Sequence, residues 1–188
     1  MKELILKNSS GKTVLLLIVI TGISFLIMPV VTMPKVIQFT NGMKILDLMP
    51  GGYDFEYVNT LLRTLGEEGR HNYLFYQIPV DMVYPLLFTI TSCLLIAFLL
   101  NKLQQFRNPF IYLCIFPVIS GIADYSENIG VAFMLNQYPD ISTTIVKITS
   151  MFSVIKYTSI TITFLGIIVL GIILGVKRII PNIHPNER

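Results

Sequence analysis

Four runs of mostly apolar residues, 13–33, 81–100, 109–135 and 145–176, constrain this chain more than any other feature of it. Each reaches the roughly 20 residues that a helix needs to cross the hydrocarbon core of a bilayer. A backbone in lipid must satisfy its polar groups internally, so runs of this kind form helices. The expected fold is therefore all-α: a four-span transmembrane helical bundle with a helical extracytoplasmic cap between spans 1 and 2. The polar segment 34–80 supplies the cap, and residues 1–188 form a single integral membrane domain. Composition agrees, because 53% of the residues are hydrophobic and 13% are charged, against about 25% charged in an average soluble domain.

The first run follows Lys2, Lys7 and Lys12. It is longer than the core of a signal peptide and lacks a small-x-small cleavage site, so a retained anchor is expected. Pro29 and Pro34 predict a kinked or broken exit, since proline removes a helix donor. Pro85 falls in the first turn of the second run, where the missing donor costs least, and Asp81 is placed to cap that helix. Helix-compatible sequence for the fourth run extends from Ile141 to Val176, longer than a bilayer at about 1.5 Å per residue. The chain is expected to project beyond the membrane there or to tilt.

Lys2, Lys7, Lys12, Lys102, Arg107, Lys177, Arg178 and Arg188 fall on one side of this arrangement. The positive-inside bias then predicts a multi-pass protein of the cell membrane with both termini cytoplasmic. The net charge of +3 includes no long basic run, which argues against a nucleic-acid partner. Cys93 and Cys114 lie in apolar runs without a CxxC pair, so buried structural thiols are expected rather than a redox or zinc centre.

Within the cap segment, Gly51 and Gly52 mark a turn and Asp54 can cap a helix. Phe55, Val58, Leu61, Leu62 and Leu65 recur at helical spacing until Gly66 ends the segment. A second short helix over 67–76 follows. Tyr53, Tyr57, Tyr73, Tyr76 and Tyr84 are expected to act as interfacial anchors.

The strongest chemical signal lies inside the third run. Asp124, Glu127 and Asn128 stand at i, i+3 and i+4 and so share one helical face. An ionised side chain at mid-membrane costs on the order of 2.5–3.5 kcal/mol even on the lenient scale, so these groups need partners or a wet cavity. Thr149, Ser153, Lys156, Ser159 and Thr163 form a polar stripe on the fourth run, and helix rise puts Lys156 near the depth of Asp124. A buried ion-pair network that fixes helix register is the plain structural reading of these residues. The functional reading adds Asp81, Arg70 and His71 from the cap side as ligand-binding groups. Arg70 is suited to clamp a phosphate or carboxylate, and His71 to move protons.

The preferred expectation is a pocket in the outer leaflet that binds a polar small molecule or lipid head group, in a binding or carrier role. An enzyme acting on a lipid-linked substrate is the alternative, with Glu127, Asp124 or His71 as the acid–base group. A non-catalytic partner or immunity-type subunit that docks through its cap is a third. No HExxH or GxSxG signature is present and no cofactor is implied. No metal is expected either, because Lys156 beside the carboxylates repels a cation. The membrane lipid itself is one expected partner. Gly171 and Gly175 form a GxxxG that predicts a homo-oligomer.

Overall fold

The computed structural model describes residues 10–105 and 110–179. Its elements are α1 (Gly11–Ile27), α2 (Met33–Ile37), α3 (Phe55–Asn72), α4 (Ile78–Asp81), α5 (Tyr84–Lys102), α6 (Ile115–Gln137) and α7 (Thr143–Ile179). No strand occurs among the described residues. Four helical stretches are long and apolar enough to cross a membrane: Gly11–Ile37, Phe55–Lys102, Phe110–Gln137 and Thr143–Ile179. The chain is a multi-pass, all-helical membrane bundle. Lys2, Lys7, Arg107, Arg188 and the predicted start of span 3 at Pro109 lie outside the described residues.

Two local expectations need correction. Pro29 and Pro34 do not end the first span: Pro29 falls in a π-helical turn over Met28–Thr32, Pro34 in the first turn of α2, and the helix runs on to Ile37. Asp81 does not cap α5, whose N-cap residue is Val83 with no side-chain cap bond. Asp81 instead ends α4, a short helix that continues from α3 through a π turn at Tyr73–Gln77.

The largest interhelical contact joins α6 to α7, while α1 packs on α5 and α5 also touches α6 and α7. Close approach of α6 and α7 depends on Gly130, since a Cβ there would collide with the Thr149 side chain. The polar stripe faces inward as its spacing predicts, with Thr149, Ser153, Lys156, Ser159 and Thr163 all buried. Gly171 and Gly175 lie toward the other end of α7, and a Cβ at either would meet no other described helix within 4 Å.

The cap forms as its sequence dictates. Asp54 accepts a hydrogen bond from the Tyr57 backbone N–H at 2.8 Å and so starts α3. Val58, Leu61, Leu62 and Leu65 then turn one apolar face inward, against Ile45, Leu46 and the ends of α6 and α7 at Val131, Met134 and Val146. Gly66, at φ +63°, interrupts the helix where only glycine is at ease. The cap therefore sits on the end of the bundle where α6 leads into α7. At 37 residues, α7 is roughly 55 Å long by helix rise and overshoots the bilayer, and its surplus N-terminal turns serve as a post for the cap.

Candidate functional site

Charge-free stretches indicate where the membrane boundary falls. Lys156 immediately precedes the run 157–176, and Asp81 immediately precedes the run 82–101. Each run matches the hydrocarbon thickness, so both charges stand at the same end of the apolar slab, where bundle meets cap. Asp124, Glu127 and Asn128 of α6 reach this level through their shared face.

The structure brings these groups together. Lys156 Nζ lies 3.4 Å from Asp124 Oδ1 and also contacts Glu127 Oε2. Exposure is 5% for Lys156, 4% for Asp124 and zero for Glu127 and Asn128. Glu127 Oε1 and both polar atoms of the Asn128 amide have no hydrogen-bond partner among the described residues. Asn128 lies next to Asp81, but its amide nitrogen makes no well-formed hydrogen bond to it.

Sequence reasoning missed a fourth carboxylate, Asp47. It sits in the short 3-10 turn Leu46–Leu48 of the cap segment and is 5% exposed. Its oxygens accept hydrogen bonds from Tyr73 Oη and Gln77 Nε2, each at 3.2 Å, and Gln77 Oε1 accepts in turn from Thr32. Burial is the main reason its carboxyl is pushed up from 3.8 to about 7, with Lys156 opposing the shift and Glu127 and Asp124 adding to it. The turn is strapped to α7 by three hydroxyl groups on one helical face. Ser150 accepts from Tyr53 N–H at 2.8 Å, Ser153 donates to Met49 O at 3.1 Å and Tyr157 donates to Asp47 O at 2.5 Å. The available signal was an acid enclosed by Ile45, Leu46, Leu48 and Met49, a setting in which a surface aspartate is out of place.

A cavity of about 620 Å³ opens from this cluster and runs between α1, α5 and α7. Asp47, Asp81, Asp124, Lys156 and Tyr157 line its polar end, and apolar side chains make up most of the remainder. Its walls extend from Lys156 to Ile167 on α7 and between Met33 and Ile18 on the first span. At about 1.5 Å per residue this gives a groove roughly 16–22 Å long, comparable with one leaflet. Phe25, Tyr84, Phe88 and Phe164 line it as a chain of rings, with centroid separations of 5.5, 5.8 and 5.9 Å.

Arg70 and His71 are placed elsewhere. Arg70 Nη1 donates at 2.8 Å to the Leu62 carbonyl, across the helix interruption at Gly66. Its guanidinium also lies 4.4 Å from the centre of the Tyr138 ring, which ties the cap to the turn between α6 and α7. His71 is exposed and stacked on Phe75 at 4.6 Å. Neither residue lines the groove. Tyr73 is likewise no interfacial anchor: it is fully buried and donates to Asp47. Comparison with known protein families, with curated proteins and with solved structures finds no match to this chain.

Proposed function

We propose that this chain binds an elongated amphiphile, either a membrane lipid or a lipid-like small molecule. The head group sits at the Asp47, Asp81, Asp124 and Lys156 end, and the apolar body lies along α1, α5 and α7. One observation supports the reading above all: a single groove joins buried charged groups at the membrane boundary to an apolar channel one leaflet deep. A structural ion-pair network alone would not require such a channel, because buried pairs that specify helix packing are sealed against each other. With the positive-inside bias setting the orientation, the head-group end faces away from the cytoplasm.

Gly22 supplies the test. It lines the groove, and a Cβ there would meet no atom of another described side chain or helix within 4 Å. Gly22→Phe therefore starts a bulky side chain in open groove space. After mild solubilisation, native mass spectrometry of the wild type is expected to show one retained amphiphile, and Gly22→Phe is expected to have lost it while folding normally. Equal retention in both proteins, or none in either, contradicts the proposal.

Asp47 favours a second reading, an enzyme acting on a lipid-linked substrate. A carboxyl pushed up to about 7 divides its time between acid and base near neutral pH, as a proton-transfer group requires. Release of a product from purified protein supplied with membrane lipids, lost in Asp47→Asn, distinguishes this reading from binding alone.

A further inference from the structure

We infer that the occupant's head group is a protonated amine, so that the ligand is a cationic amphiphile. This rests on the groove reading above and adds the chemistry of the head. Four buried carboxylates, Asp47, Asp81, Asp124 and Glu127, lie within electrostatic reach of one another and of a single lysine, Lys156. Lys156 is engaged by Asp124 and Glu127, and Asp47 is held by the neutral donors Tyr73 and Gln77.

Asp81 is the remaining carboxylate. It is 6% exposed, lines the groove, and enters no ion pair among the described residues. A carboxylate removed from water stays ionised only beside a countercharge, and a head group that carries both a positive charge and N–H donors supplies charge and hydrogen bonds together. Tyr84, one helical turn beyond Asp81, opens the chain of rings along the groove. Aromatic faces next to a carboxylate favour a cation over a neutral hydroxyl.

Two competing head groups fit less well. A phosphate would enter a site with a large excess of carboxylates, where the lysine is already paired. A metal ion needs several ligands converging on one point, and among the described residues no three His, Cys, Asp or Glu side chains do so.

The test compares probes that share a chain and differ in head: dodecylamine, dodecanol and dodecanoate, added to the full chain in a non-ionic detergent. Retention is read by native mass spectrometry and folding by circular dichroism. Dodecylamine is expected to bind at least about tenfold more tightly than dodecanol, the margin of charge-assisted over neutral hydrogen bonds. Dodecanoate should bind least. Asp81→Asn is expected to abolish the preference for amine over alcohol and Asp81→Glu, which keeps the charge, to preserve it; if Asp81→Asn does not fold, the ranking of the three probes on the wild type decides.

Equal binding of all three probes overturns the amine assignment and leaves the amphiphile reading intact. Failure of every probe to bind overturns the reading beneath it. Displacement of dodecylamine by phosphatidylethanolamine would identify a lipid head group as the natural source of the amine. Lack of displacement would point to a free single-chain amine.

Discussion

Two groups of polar, ionisable residues in this chain lie in opposite environments. Glu67, Glu68, Arg70 and His71 crowd into five positions at the surface of the cap, with both glutamates and the histidine exposed. Asp47, Asp81, Asp124, Glu127 and Lys156 come from four separate segments and meet in the interior, none more than 6% exposed. Local charge density thus marks a solvated face, whereas isolated charges in apolar surroundings mark the place where the fold concentrates its chemistry. The difference is one of dielectric. A charge in water is worth little to its neighbours, and the same charge among apolar side chains dominates them.

Removing the buried cation should break the comparison most strongly. Lys156→Met leaves Asp124 and Glu127 without their counterion, and breaking a buried pair in this way costs about 3–5 kcal/mol. Thermal unfolding in detergent should register the loss. Adding Glu127→Gln to Lys156→Met should recover part of it, because one unpaired carboxylate is then gone. If the single and double variants unfold together, the pairing is not what holds α6 against α7.

A pH series sharpens the same contrast. Burial lifts the Asp47 carboxyl from 3.8 to about 7, so the folded protein keeps a proton that the unfolded chain has already released. Its contribution to stability is complete below about pH 4 and declines as pH rises to 7 and beyond. Asp47→Asn cannot lose that proton, although Tyr73, Gln77, Lys156, Glu127 and Asp124 still face the position. The stability of Asp47→Asn relative to wild type should therefore increase steadily from pH 4 to 8, and a flat difference would place Asp47 in contact with water.

Substitutions on the cap surface should do least. Arg70→Ala removes the bond to Leu62 O and the contact with Tyr138, a loss of about 1–2 kcal/mol. His71→Ala should change stability by under about 0.5 kcal/mol. Neither should alter retention of a groove ligand, measured alongside Gly22→Phe. Loss of the ligand in Arg70→Ala would show that the cap takes part in binding.

Much of this was legible in the sequence. The i, i+3, i+4 spacing of Asp124, Glu127 and Asn128 implies a shared face, and helix rise alone brings Lys156 level with Asp124. Asp81 stands out by its position at the edge of an apolar run. Asp47 does not, because a lone acid in an irregular turn has no periodic partner to show which way it faces. Only the strapping of that turn to Ser150, Ser153 and Tyr157 sets its direction. The contacts of Arg70 with Leu62 O and the Tyr138 ring were not legible either, because they depend on how the cap folds onto the turn between α6 and α7. The groove is a gap among three helices brought together by tertiary packing, which sequence periodicity does not encode.

An experimental density map of the protein extracted with its native lipids tests the central claim most directly. The account predicts an elongated feature running from Asp81 and Asp124 along Tyr84 and Phe164 toward Ile167, with its polar end within hydrogen-bond distance of a carboxylate. A groove closed by its own side chains, with Lys156 and the acids sealed against one another, would contradict it.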